Sequence, residues 1–210
     1  MIESNNRFIT EGRYVATDLI QGIQVAYDWF AVKPAENGLV IESRHTVMGV
    51  PGMPVQHAQF AVEPDWTPRR ITVQADQLLS LEVEFSDTAT VMFISEKDSS
   101  RKIELPIGRD RALFLLNGGL YFPLHIVRRF NFDDSKPQQF NIIPNGLAEV
   151  TRLPDKVEEN ETLRILETKI SLPGYEDVLR LYVNAHGDLV RYQARNQNLV
   201  VQLEERGELC

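Results

Sequence analysis

The sequence predicts a mostly-β protein: a curved antiparallel meander, of half-barrel or spiral β-roll type, with one short helix or lid near its middle. Two observations carry this. Short segments of alternating apolar and polar residues recur along nearly the whole chain, separated by Pro, Gly, Asn and Asp. One stretch alone breaks the succession, RALFLLNGGLYFPLHIVRRFNF from Arg111 to Phe132, an apolar run too short to span a bilayer that is split by Gly118-Gly119.

Taken in order, strands are expected over Arg13–Ile20, Gly22–Val32, Leu39–Met48, Val55–Val62, Arg69–Ala75, Leu79–Phe85 and Ala89–Ser95, then Leu163–Leu172, Val178–Asn184, Leu189–Arg195 and Leu199–Glu204. The prolines are expected between these segments. Register follows from asking which pairings keep one face apolar, since a slip of one residue turns every side chain over. Pairing Lys33 with Leu39 sets Val25, Tyr27 and Trp29 opposite Val47, His45 and Ser43. Pairing Val47 with Gln56 then sets Ala58 opposite His45 and Ser43 opposite Phe60, and the set continues through Ile71, Val83, Phe85, Val91 and Phe93. Asp28, Glu42, Thr72 and Glu84 fall on the wet face. Near the end of the chain a His186-Gly187 turn pairs Val183 with Val190 and Leu181 with Tyr192.

The central segment from Leu120 to Arg129 carries Leu120, Leu124 and Val127 at helical spacing. It reads equally as a core plug or as a lid hinged at Gly118 and Gly119. One domain is expected over residues 1–210, with 111–135 as this lid or plug.

A net charge of −8 and a pI near 5.1 argue against nucleic acid and anionic membrane as partners, which need clustered Lys and Arg. No stretch reaches the length of a membrane-spanning helix and no signal peptide is visible, so a cytoplasmic protein without integral membrane association is expected. The one cysteine, Cys210, supports neither a disulfide framework nor a Cys-based metal site. His45 and His57 invite a metal-pair reading, but the register sends them to opposite faces, so neither metal nor cofactor is expected. The Asp133-Asp134 pair reads as a solvated turn. Nucleotide-binding, zinc-hydrolase and nucleophile-elbow motifs are absent.

What stands out is the polar minority expected on the apolar face, namely Ser43, His45, Gln56 and Arg69, because a buried polar group needs a partner or a ligand. His45 beside Tyr27 is the candidate acid/base pair if the protein is an enzyme. A ligand on the same face is expected to meet Trp29, Ser43, Phe60, Arg69, Phe85, Phe93, Tyr121 and Arg128.

The segments WTPRRITVQ (Trp66 to Gln74) and LRLYVNAHGDLVRYQ (Leu179 to Gln193), together with the central apolar stretch, resemble the bacterial glycolipid-binding domain family. The shared features are a W-T-R opening to a strand and a late strand, turn, strand ending in a G-x-V-x-x-Y-like run. Pro68 interrupts the first, so the resemblance bears on Trp66, Arg69, Gly187 and Tyr192 alone. It implies an open spiral sheet like that of bacterial lipoprotein carriers, a scaffold similar to one used by a violacein-pathway enzyme. The expectation is a binder of an apolar or amphipathic, lipid-like or glycolipid-like small molecule on the concave face. A cofactor-free cyclase or isomerase using the same cavity, and a protein-interaction module, are the alternatives.

Overall fold

The computed structural model of the chain describes residues 11–49, 55–75, 79–97, 99–115, 121–132, 136–158, 161–196 and 198–207. Gly118, Gly119, Leu120, Asp133, Asp134 and Cys210, singled out above, lie outside the described residues, as does the side chain of Tyr121. The first eight strands are β1 (Glu11–Asp18), β2 (Ile23–Ala35), β3 (Gly38–Val47), β4 (Gln56–Val62), β5 (Pro68–Ala75), β6 (Leu79–Phe85), β7 (Thr90–Glu96) and β8 (Ser99–Leu105). A 3-10 turn at Arg109–Arg111 leads into β9 (Ala112–Phe114) and helix α1 (Tyr121–Arg129). Then follow β10 (Gln138–Ile143), β11 (Gly146–Glu158), β12 (Glu161–Leu172), β13 (Tyr175–Val183), β14 (Leu189–Ala194) and β15 (Leu199–Gly207).

All fifteen strands form one sheet, in the order β8-β7-β6-β5-β4-β3-β2-β1-β15-β14-β13-β12-β11-β10-β9. Its two edges, β8 and β9, are consecutive in the chain and joined only through residues 106–111. Laid flat, fourteen strand spacings would separate these edges by about 67 Å. A link of that length reaches about 25 Å at most. The sheet therefore has to roll, which gives it a concave inside without closing it into a barrel.

Every pair but one is antiparallel. The exception is β9 with β10, and parallel neighbours need a crossover, which α1 supplies. The helix lies inside the roll. Phe122, Leu124, His125, Ile126 and Val127 are all buried, and they join one apolar core with Phe60, Ile71 and Phe85 of the early strands and Phe140, Val150 and Leu181 of the late ones. Pro123 sits in the first turn of the helix, where its missing N–H costs nothing.

The expected strand positions hold, but four strands went unread. β8 (SSRKIEL) is a charged edge strand with weak alternation, β9 is three residues long, and β11 contains Pro154. Pro154 lies where the pairing with β12 shifts between Leu153 and Lys156, a bulge that spares the ladder the missing donor. Pro34 and Pro68 also lie within strands, not between them.

Register differs where it matters most. The turn after β2 is tight, with Ala35 opposite Gly38 and only Glu36 and Asn37 between them. Gly38 is required there, since a Cβ would come within 2.0 Å of the Val62 carbonyl oxygen. Asp28 therefore faces His45, Trp29 faces Arg44 and Tyr27 faces Thr46, one residue off the expected pairing. The slip turns β2 over: Ala26, Asp28, Phe30 and Val32 point inward and are buried, while Tyr27 and Trp29 share the outer face with Glu42. The pairing of β3 with β4 moves by two residues, which preserves the face but puts Gln56 opposite His45 and Ala58 opposite Ser43. In β7, Thr90 and Met92 point inward and Val91 and Phe93 outward, again the reverse of expectation. Phe60 does meet Ile71 and Leu181 does meet Tyr192, but Val183 meets Leu189 across a bulge.

Candidate functional site

The turns fall at two rims of the roll, and α1 is tied to one of them. His125 Nε2–H donates to the Trp66 carbonyl oxygen at 2.8 Å, and Arg128 Nη2–H to Asp188 Oδ1 at 2.9 Å. Arg129 donates to the carbonyls of Ala112 and Asp110. The Arg128 guanidinium also lies 5.4 Å from the Trp66 ring centre. Burial lowers the Arg128 pKa while Asp188 holds the guanidinium charged. These contacts cluster at the rim formed by residues 63–67, 106–111 and 184–188.

Toward the opposite rim the inner face changes character. Cross-strand pairing puts Gln56, His45, Asp28 and Tyr14 in one continuous row over β4, β3, β2 and β1. Side chains opposed in this way lie about 5 Å apart at Cβ. His45 Nδ1–H donates to Asp28 Oδ1 at 2.8 Å, with both side chains nearly enclosed. An ionised carboxylate only accepts hydrogen bonds, so Nδ1 carries a proton, and in the neutral ring Nε2 is then an acceptor facing outward from the pair. Tyr14 donates its hydroxyl to the Leu189 carbonyl. Tyr192, enclosed close to Asp28 and Tyr14, has its phenol pKa raised, chiefly by burial. Gln56 carries a buried Oε1 that accepts no hydrogen bond.

Around this row the inner face keeps some contact with solvent. Ser43, Val47 and Gln56 are half-buried, as are Leu81, Ile94 and Ile103 on the β6 to β8 arm. Ala58 and Ala75 supply little side-chain volume between them. The arrangement is an apolar inner face crossed by one polar row. Such a row can fix a polar group and, through an imidazole whose tautomer is set by a carboxylate, can take up a proton.

The expected site residues divide accordingly. His45, Ser43, Phe60 and Phe85 face inward as read, and Arg128 is an interior helix residue. Tyr27 and Trp29 do not join them; they line an outer groove of about 640 Å³ with Arg44, His57 and Gln59. Trp29 Nε1–H there donates to Glu11 Oε1 at 3.3 Å. Tyr27 is thus not the partner of His45. Arg69 is exposed, bonded to the Asn37 carbonyl and next to Glu63, because the pairing of β4 with β5 shifts between Ala61 and Val62. Phe93 is 39% exposed, below Lys102. His57 is on the outer face, opposite in direction to His45, as expected. Gly187 takes the positive φ, 85°, that the His-Gly turn calls for.

Sequence reasoning missed Asp28, Tyr14 and Asp188. The available signal for Asp28 was that Ala26, Phe30 and Val32 make as good an apolar set as Val25, Tyr27 and Trp29, with a single carboxylate among them. Among the described residues no three His, Cys, Asp or Glu side chains converge as a metal ion would require, and no helix is long and apolar enough to cross a membrane.

No family model matches the sequence, and no curated protein matches it. Among solved structures the chain is similar to the crystal structure of a DUF1089 family protein from Pseudomonas aeruginosa, with 14% sequence identity and a TM-score of 0.44, over 79% of this chain and 88% of that one. The likeness is one of all-sheet architecture.

Proposed function

We propose that the protein binds a small amphipathic molecule, lipid-like or glycolipid-like, on the inner face of the rolled sheet. The observation that carries this is the row Gln56, His45, Asp28 and Tyr14, set across a face that is otherwise apolar. Enclosing charged and amide groups costs several kcal/mol that a purely structural core avoids, and an apolar replacement is often neutral or stabilising. A ligand whose body lies along Leu81, Ile94 and Ile103 and whose polar end meets the row accounts for both parts of the inner face. Native mass spectrometry of protein purified without detergent is expected to show a bound small molecule. Its occupancy should fall in His45→Ala and stay unchanged in His57→Ala, on the outer face. Protein that emerges bare and takes up no amphiphile, or that loses its ligand equally in both variants, overturns the reading.

One observation favours an enzyme as the second reading: the 2.8 Å contact from His45 to Asp28 orients an imidazole as a general base. The same experiment separates the two. A binder carries the same molecule in both proteins, at reduced occupancy in His45→Ala, whereas an enzyme variant accumulates a substrate that, once released, separates by chromatography from the molecule on the wild type, even where isomerisation leaves the mass unchanged.

A further inference from the structure

We infer that the head group recognised on the inner face is a neutral hydrogen-bond donor, of the primary amide or hydroxyl class, and not a carboxylate or phosphate. The inference rests on the reading of the inner face as a ligand site and adds the chemistry of its polar end. Two adjacent residues of the row present acceptors. Gln56 Oε1 is buried and accepts no hydrogen bond from the protein. His45, directly opposite it in the ladder, donates from Nδ1 to Asp28, so its neutral ring presents an acceptor at Nε2. The next residue along the row is the Asp28 carboxylate itself.

An anionic head would bring a third acceptor to this group and place its charge beside Asp28 in a water-poor setting, where like charges repel strongly. A donor relieves the unmet demand at Gln56, and leaving such a buried acceptor unmet is costly. A head with two donors, such as a primary amide, can serve Gln56 and His45 together. Sites built to satisfy a polar ligand group reject analogues that lack it far more strongly than apolar pockets reject a missing methylene.

The test compares three amphiphiles of one chain length, below their aggregation concentrations, by calorimetric titration of the full chain: dodecanamide, N,N-dimethyldodecanamide and dodecanoate. The two amides match in charge and carbonyl and differ in donors, so the protein's net negative charge does not enter their comparison. Dodecanamide is expected to bind about tenfold tighter than its dimethyl analogue, the worth of one good hydrogen bond, and tighter than dodecanoate. In Gln56→Met, with circular dichroism confirming the fold, the ratio between the amides should drop to within about threefold. Equal binding of the two amides, or dodecanoate as the tightest of the three, overturns the inference while leaving a ligand site standing. An undiminished ratio in folded Gln56→Met overturns the assignment to this row. Absence of binding by all three overturns the ligand site and the inference together. Should Gln56→Met fail to fold, the three wild-type affinities still decide.

Discussion

His125 is enclosed between the core and the backbone of Trp66, and it is held neutral there. Burial, seconded by the charge of Arg129, pushes its pKa down to about 3 against the opposing hydrogen bond to Trp66. In the unfolded chain the same imidazole titrates near its ordinary value of about 6.5. Above that pH neither state binds the proton and the group leaves stability unchanged. Below it the unfolded chain takes up a proton that the native one refuses, so stability falls by about 1.4 kcal/mol per pH unit until the native value is reached. His125→Gln keeps an N–H for the Trp66 carbonyl and removes the titration. Urea unfolding at several pH values between about 6.5 and 4 should therefore show a slope shallower by about that amount in the variant. Parallel slopes would mean that His125 is protonated in the folded protein. At the same scale Asp28 marks the limit of inference from sequence. Its carboxylate made one face of β2 look wet, and nothing local announces that a histidine on the neighbouring strand will meet it.

Helix α1 was legible as an element because Leu124 and Val127 repeat at helical spacing between glycine and polar residues, but its place was not. The spacing of apolar residues is the same whether a helix covers a sheet or sits within it. The difference lies in contacts distant in sequence: His125 with Trp66, Arg128 with Asp188, Arg129 with Asp110. The strands divide along the same physical line. β1 to β7 and β12 to β15 alternate clearly, whereas β8 has an edge to protect with charge and β11 absorbs a proline in a bulge. The registers of hairpins with tight turns were out of reach, because adding one residue to a loop reverses a whole face. From its anchors and its unbroken run of buried side chains from Phe122 to Val127, we expect α1 to act as a plug. Native-state hydrogen exchange should find the amides of Leu124 to Val127 protected to the same order as those of Ile71 to Val73 in β5, with or without an amphiphile. Exchange faster by a hundredfold or more would identify α1 as a separately opening lid.

At the scale of the whole molecule the strand order has a simple reading: if residues 11 and 207 were joined, every neighbour in the sheet would also be a neighbour in the chain, from β9 through β15 and on from β1 to β8. Glu11 lies opposite Gly207, close enough for a short hairpin loop. The one connection left over is the strap 106–111, which is docked against the β6 to β7 turn. Arg109 reaches Asp87 at 2.7 Å and Glu63 at 3.1 Å, and a Cβ on Gly108 would lie 2.2 Å from the Asp87 carbonyl oxygen. A permuted chain opened within this strap and joined from residue 207 to residue 11 should keep the fold, with faster folding because the β1 to β15 pairing becomes local. Stopped-flow refolding of the two chains checks this, and a permutant that cannot fold would show that the strap, not the meander, sets the roll. The pairing of Glu11 with Gly207 also decides how the protein bears load. Tension applied through the chain segments on either side of these residues acts on one end of the β1 to β15 ladder, so its hydrogen bonds part singly, as a zipper does, and the sheet divides at its middle before either arm is strained.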